Sequence, residues 1–498
     1  MSIKTRLLIV SFLLMNALSH SALSKAPYAV GSKTIFIYDT DRPFDALGGV
    51  NKGVRSLITE IWYPADKSKI EENSDEYRLA TYGDYVFGDE SVHHKMMTQT
   101  TFFHLTPETV REGVTQTQID AAIADLFKQV RNSYVDAPLA DSEQPFPVVV
   151  MTHGDAGSRY NMETACEYLA MHGYVVIAPE HTGNSPYAFA AKDPAFNADF
   201  SDQALRKKMQ AVLPLLNADG THGSTETYGQ TYTPLVRDMT DMSAITNLDQ
   251  ALVERVNDLR TAIEKLESMN SEGEFANRLD LNRLGVMGRS FGGMTSLAAL
   301  ALEDRFRAGV SVVPLVLPDL RSKVDAEYLV DAPAESVLLN VNGSTALNHV
   351  HKPTLYLSGD EDALIIGAGM AMADALGGPM PSAENPHAVL RAAYEDSNMP
   401  AYWGLLRDSN HGSFGVSGAY WWPHLKPSTQ SRTFDPETTF QVIDPKIAHQ
   451  IQQTKILEFF DVYLANKEGA MKQLEENKYV DQGFEFEFLE TTAKSNTN

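Results

Sequence analysis

Cysteine is nearly absent: Cys166 is the only one among 498 residues. No disulfide can close within the chain, so stability has to come from a packed core. Positive charge is also scarce, with 41 Lys and Arg against 65 Asp and Glu and a formal charge of −24. Such a balance argues against nucleic-acid binding, which requires a basic face. It equally disfavours adhesion to anionic lipid, since no basic amphipathic stretch compensates. There is no H-E-x-x-H and no Cys/His pair at ligand spacing, so no metal is expected. No repeat recurs at solenoid or propeller periods. What remains is ordinary for a globular protein: 43% apolar and 21% charged residues, enough for a sizeable core.

The N-terminus has its own pattern. Lys4 and Arg6 precede an apolar run from Leu7 to Leu18, followed by small residues. The run is too short to span a bilayer and has the layout of a secretory signal. Ala22 and Ser24 suit the −3 and −1 positions, so cleavage before Lys25 is expected. The mature chain would then be exported, to the periplasm or outside the cell, with no stable membrane insertion.

Further along, "SLITEIWYPAD" (56–66) is β-rich and ends in a proline turn, which predicts an edge or early strand. "PFPVVVMTHGDAGS" is a short unbroken apolar run closing on His153-Gly154, as expected of a strand buried on both faces. A helical pattern, a glycine stop at Gly173 and a second buried run at 174–178 complete a βαβ unit. Residues 187–245 break the rhythm with mixed aromatic, Met and polar residues and are expected to form an inserted cap. Leu252, Val256, Leu259, Ile263 and Leu266 then mark one apolar helical stripe, with Asn247 and Gln250 resembling a capping box. Buried runs at "LGVMG", "AGVSVVPLV", "PTLYLSG" and "AYWGLL" follow, and a closing helix comes after them. Strands alternating with helices predict a doubly wound, mainly parallel α/β sheet. The expected layout is 25–186 and 246–470 for the two parts of one domain, the 187–245 cap between them, and a polar tail at 471–498.

Gly288-Arg289-Ser290-Phe291-Gly292 is G-x-S-x-G between a strand and a helix. A serine at the apex of that turn sits in strained backbone, so its near neighbours must lack Cβ atoms. The turn lifts the hydroxyl above the sheet, where the helix N-terminus favours negative charge. Ser290 is therefore the candidate nucleophile. A serine nucleophile needs a base, oriented in turn by a carboxylate. Of the downstream histidines, His411 follows the last strand in the turn-rich "RDSNHGSFG" and is the candidate base, whereas His449, on the closing helix, reads as a surface residue. Asp360, Glu361 and Asp362 all follow one buried strand; Asp362 is favoured as the acid and Asp360 is the alternative. The oxyanion would take backbone N–H groups from Phe291 and from Asp155, in the loop after the 146–152 run.

These landmarks together, "EIWYPAD", "PVVVMTHGDAGS", "YLAMHGYVVIAPEHTGNS", "LGVMGRSFGG", "PTLYLSGDEDALI" and "SNHGSFG", resemble the α/β-hydrolase superfamily. The branch they look most like is that of platelet-activating-factor acetylhydrolases, which borders dienelactone hydrolases and bacterial polyester hydrolases. The resemblance implies a cofactor-independent serine esterase with an acyl-enzyme intermediate and a small-molecule or lipid-like ester as its partner. Two positions depart from the branch. Arg289 stands where a neutral residue or His is usual, and Asp155 where an apolar or aromatic one is. A carboxylate beside an oxyanion hole opposes the transition state, so Asp155 is expected to pair with Arg289 or Arg159, or to meet a cationic substrate group. Trp421 and Trp422 are candidate wall residues for the substrate. An amide-cleaving hydrolase and a non-catalytic binding protein on the same fold are the competing readings.

Overall fold

The computed structural model describes residues 26–316 and 352–489, except 74, 101–104, 187–189, 224–228, 235, 237, 239, 240, 398 and 417–424. The expected signal segment, His349, His351, His424, Trp421 and Trp422 lie outside the described residues.

Unbroken apolar runs have no polar face to give to water, and here each becomes a strand covered on both sides. The strands are β1 (Ala29–Asp39), β2 (Arg55–Ala65), β3 (Leu79–Thr81), β4 (Val130–Val135), β5 (Phe146–Thr152), β6 (Val175–Pro179) and β7 (Leu279–Arg289). Then come β8 (Phe306–Val312), β9 (Thr354–Gly359), β10 (Ala401–Leu406), β11 (Thr429–Ser431), β12 (Thr439–Gln441) and β13 (Phe484–Leu489). Eleven of them form one sheet in the order β13-β10-β9-β8-β7-β5-β6-β2-β1-β4-β3, and β11 pairs with β12 apart from it. The six central strands, β6 through β10 with β5 among them, are mutually parallel. This is the α/β-hydrolase arrangement.

Helices cover both faces: α1 (Glu163–Met171), α2 (Met242–Ser271), α3 (Phe291–Leu302), α4 (Ala363–Leu376), α5 (Ala388–Glu395) and α6 (Pro445–Tyr463). Alternate residues of β5 feed opposite layers. Val149 and Met151 pack with Leu169 of α1 and Phe459 of α6, while Val148 and Val150 pack with α2 and α3. The predicted stripe of α2, Leu252, Val256, Leu259, Ile263 and Leu266, is buried in the second layer. Each such side chain contributes about 1.5–3 kcal/mol when fully removed from water. Cys166 is free and buried on α1.

Several details differ from expectation. β2 is early in the chain, one of the two expected placements, but interior to the sheet and not at its edge, antiparallel to β1 on one side and to β6 on the other, with every residue buried, the polar Arg55, Ser56, Thr59 and Glu60 included. Helix α2 begins at Met242, before the expected capping box, with Asp241 accepting from the Ser243 amide at 2.9 Å. The polar tail is not a tail throughout: Ala470–Glu475 is helical, and β13 adds an antiparallel edge strand to β10.

The sheet order also fixes where chemistry can occur. The chain leaves β5 for its neighbour β6 and later returns to the other side of β5 as β7. That reversal opens a crevice at the C-terminal strand ends, and the loops after β5 and β7 face each other across it.

Candidate active site

Thr152 of β5 pairs with Gly288 of β7, so Gly154 and Ser290 both lie two residues beyond the same rung. Ser290 has φ 59° and ψ −124°, a left-handed conformation that a residue with a Cβ adopts only under strain. Its N–H donates to the Val312 carbonyl at 2.8 Å, which ties the turn to β8. The flanking glycines are steric necessities. A Cβ on Gly292 would stand 2.1 Å from the Thr152 oxygen, and one on Gly288 2.2 Å from the Gly292 oxygen. A Cβ on Gly154 would lie 3.2 Å from the Ser290 Cβ, so the β5 loop passes directly against the serine.

The loop after β5 is held from within. His153 accepts the His181 amide on Nε2 at 3.0 Å, which leaves Nδ1–H to donate to the Gly154 carbonyl at 2.7 Å. Among the described residues, no protein group accepts from the N–H of Asp155 or of Phe291. Both amides are thus available beside Ser290.

Two strands further out, Leu406 of β10 pairs with Gly359 of β9, which places the loops bearing Asp362 and His411 side by side. His411 Nδ1 lies 2.8 Å from Asp362 Oδ2. The other oxygen, Oδ1, accepts the Ile365 amide at 3.2 Å as the N-cap of α4, so the carboxylate cannot turn away. Burial alone would raise the Asp362 carboxyl, but the charge and hydrogen bond of His411 hold it below the ordinary carboxylate range. An ionised Asp362 accepts, so His411 carries its proton on Nδ1 and presents a basic Nε2. Burial holds the His411 imidazolium below its ordinary value; Asp362 opposes this and Arg289 reinforces it.

The other two carboxylates face elsewhere. Glu361 pairs with Arg432 at 2.8 Å. Asp360 accepts the Ser409 amide at 3.4 Å and faces Arg407 at 3.6 Å, and burial pushes it up to about 6. Only Asp362 of the three reaches His411.

Arg289 and Asp155 do not pair. Arg289 donates from Nη2 to the His411 carbonyl, against the edge of Gly415. Arg159 instead binds Glu180 at 2.9 Å and the Tyr85 carbonyl at 2.6 Å. The Asp155 carboxylate is taken by Asn184, Gln230 and Thr233, groups too far along the chain to be paired by inspection. His449 is not on the surface either. It is buried, accepting Thr164 Oγ on Nδ1 at 2.7 Å and donating from Nε2 to the Gly415 carbonyl at 3.0 Å. Arg289 and His449 together fasten the turn that begins at His411. Sequence gave no sign of this, because a backbone carbonyl has no residue identity to read.

Among the described residues, no group of three or more His, Cys, Asp or Glu side chains is placed to hold a metal ion. No described helix is long and apolar enough to cross a membrane.

Comparison with known proteins places the chain in a family. The family model for platelet-activating factor acetylhydrolase, isoform II, matches residues 50–332, a stretch that includes Asp155 and Ser290. Platelet-activating factor acetylhydrolase of Cavia porcellus is 25% identical over 193 residues, 38% of this chain and 40% of that protein. The protein of the same name from Canis lupus familiaris is 27% identical over 186 residues, 37% and 38% of the two chains. The aligned part thus spans well under half the length of these relatives. A solved ferulic acid esterase from Streptomyces cinnamoneus shares the fold, with a TM-score of 0.52 and 16% identity over 93% of this chain and 97% of that one. Because the family match extends over more than half of the sequence, the chain belongs to the platelet-activating factor acetylhydrolase isoform II family.

Proposed function

We propose that the protein is a serine hydrolase of carboxylic esters working through Ser290, His411 and Asp362. Nε2 of His411 takes the Ser290 hydroxyl proton as Oγ attacks the ester carbonyl carbon. The carbonyl π electrons move onto oxygen, and the N–H groups of Phe291 and Asp155 donate to it. Collapse of this adduct breaks the bond to the alcohol, which leaves with the proton from His411, and the acyl group stays on Ser290. Water then repeats the sequence and releases the acid. Asp362 fixes the tautomer and stabilises the imidazolium. No step calls for a cofactor or metal.

The observation that carries this reading is the 2.8 Å bond between His411 and Asp362 at the same sheet edge as the strained Ser290. The relatives are named acetylhydrolases and the fold neighbour an esterase, so short-chain acyl and phospholipid-like esters are the proposed substrates. Residues 187–245 are proposed as a cap over the site, and residues 1–24 as a cleaved export signal that delivers the enzyme to the periplasm or beyond. A nitrophenyl ester series from acetate to long-chain acyl, with wild type and Ser290→Ala, tests the central reading. Hydrolysis lost in the variant supports it; a wild type inert towards every ester contradicts it and turns attention to amides.

A further inference from the structure

An oxyanion-hole residue with a negatively charged side chain is a paradox unless that charge is committed elsewhere. We infer that Asp155, Asn184 and Arg255 form a relay that positions the oxyanion amides and ties their geometry to the seating of the inserted segment. The inference rests on the acyl-transfer reading above.

Asp155 Oδ1 accepts from Asn184 Nδ2 at 2.7 Å and from Gln230 Nε2 at 2.9 Å, and Oδ2 accepts from Thr233 Oγ at 3.1 Å. Gln230 and Thr233 belong to the inserted segment; Asn184 belongs to the loop after β6. The Asn184 oxygen accepts in turn from Arg255 Nη1 of α2 at 2.7 Å. With a carboxylate on one side and a guanidinium on the other, the Asn184 amide has one satisfactory orientation. Asn184 and Arg255 are both fully buried.

Arg255 closes the circuit. Its Nη2 donates to Thr152 Oγ at 3.2 Å and to the His153 carbonyl, within the loop that carries the Asp155 amide. Its guanidinium also lies over the Phe291 ring, 4.7 Å from the centroid. One cation therefore touches the residue of one oxyanion donor and the backbone leading to the other. Burial raises the Asp155 carboxyl, while Asn184, Thr233 and Arg255 oppose that rise. The charge is spent on the inserted segment and the relay, which answers why a carboxylate is tolerated here. Asp155, Asn184 and Arg255 are positioning residues through their side chains.

The test compares Asp155→Ala, Asp155→Asn, Asn184→Ala and Thr233→Val with wild type and Ser290→Ala. The readouts are kcat and KM on nitrophenyl acetate, affinity for a trifluoromethyl ketone that forms a tetrahedral adduct on serine, and the thermal midpoint. Misplacing an oxyanion donor costs on the order of 10–100-fold. Asp155→Ala and Asn184→Ala are expected to lower kcat by that factor, with KM within about 3-fold, and to weaken the ketone in parallel. Asp155→Asn keeps an oxygen for Asn184 and Gln230, so it recovers most of the rate. Thr233→Val, at an exposed position, removes one link without touching the core and lowers kcat by a few-fold. The relay is overturned if Asp155→Ala matches wild type, if Asp155→Asn is as impaired as Asp155→Ala, or if kcat falls while ketone affinity holds. Ser290→Ala separates the two levels. Retained activity there defeats the acyl-transfer reading itself, whereas a dead Ser290→Ala beside a fully active Asp155→Ala defeats only the relay.

Discussion

Replacing Ser290 by Ala and by Gly isolates the backbone strain at the proposed nucleophile. Both variants lose the hydroxyl, so they differ only in the Cβ. At φ 59° and ψ −124°, a side chain costs about 1–3 kcal/mol that glycine does not incur. Glycine instead gives up about 0.5–1 kcal/mol of unfolded-chain entropy. The difference leaves Ser290→Gly more stable than Ser290→Ala by about 1 kcal/mol, a thermal midpoint roughly 1–2 °C higher for a chain of this size. Ala121→Gly, at an exposed position in the 116–127 helix, is the control, and it should move the other way by about 1 kcal/mol. Differential scanning calorimetry at a fixed scan rate reads all three. A Ser290→Ala variant as stable as Ser290→Gly, with the control destabilised normally, refutes the claim that the turn is strained.

Two further predictions concern charge. Burial lowers the pKa of His411 and Arg289 adds to the effect, which keeps the proposed base neutral to lower pH; the acid limb of kcat/KM should lie below that of an ordinary imidazole, and Arg289→Met should shift it upward, read from a pH profile on nitrophenyl acetate. Asp360 is raised from 3.8 to about 6 in the fold, so it binds a proton there that the unfolded chain has lost. Its contribution to stability falls as pH rises from about 4 and is lowest above about 6. Asp360→Asn should therefore stabilise the protein at pH 7, by up to about 3 kcal/mol, and have little effect at pH 4, as measured by denaturant unfolding at the two values.

The turn at Ser290 was legible because three signals coincide: a buried run, glycines on both sides of one serine, and a small-residue helix. The carboxylate that meets His411 was less so. Asp360, Glu361 and Asp362 follow the same strand, and only the capping of α4 turns Asp362 towards His411. The partners of Asp155 lie 29, 75 and 78 residues away, and no local pattern encodes such pairings. His449 was misread because helix α6 is buried over much of its surface, so its polar positions do not mark a solvent face. The edge strand at the C-terminus did carry a signal. Phe484, Phe486 and Phe488 alternate with Glu485 and Glu487, which is the period of a strand half exposed to water.

The most direct test is covalent. Treatment with a fluorophosphonate at neutral pH, followed by peptide mass mapping, should place one phosphonyl group on Ser290. Labelling should vanish in Ser290→Ala and slow by several orders of magnitude in His411→Ala, in step with ester hydrolysis. Ester hydrolysis that persists with Ser290 unlabelled, or a label carried by another residue, would contradict the account.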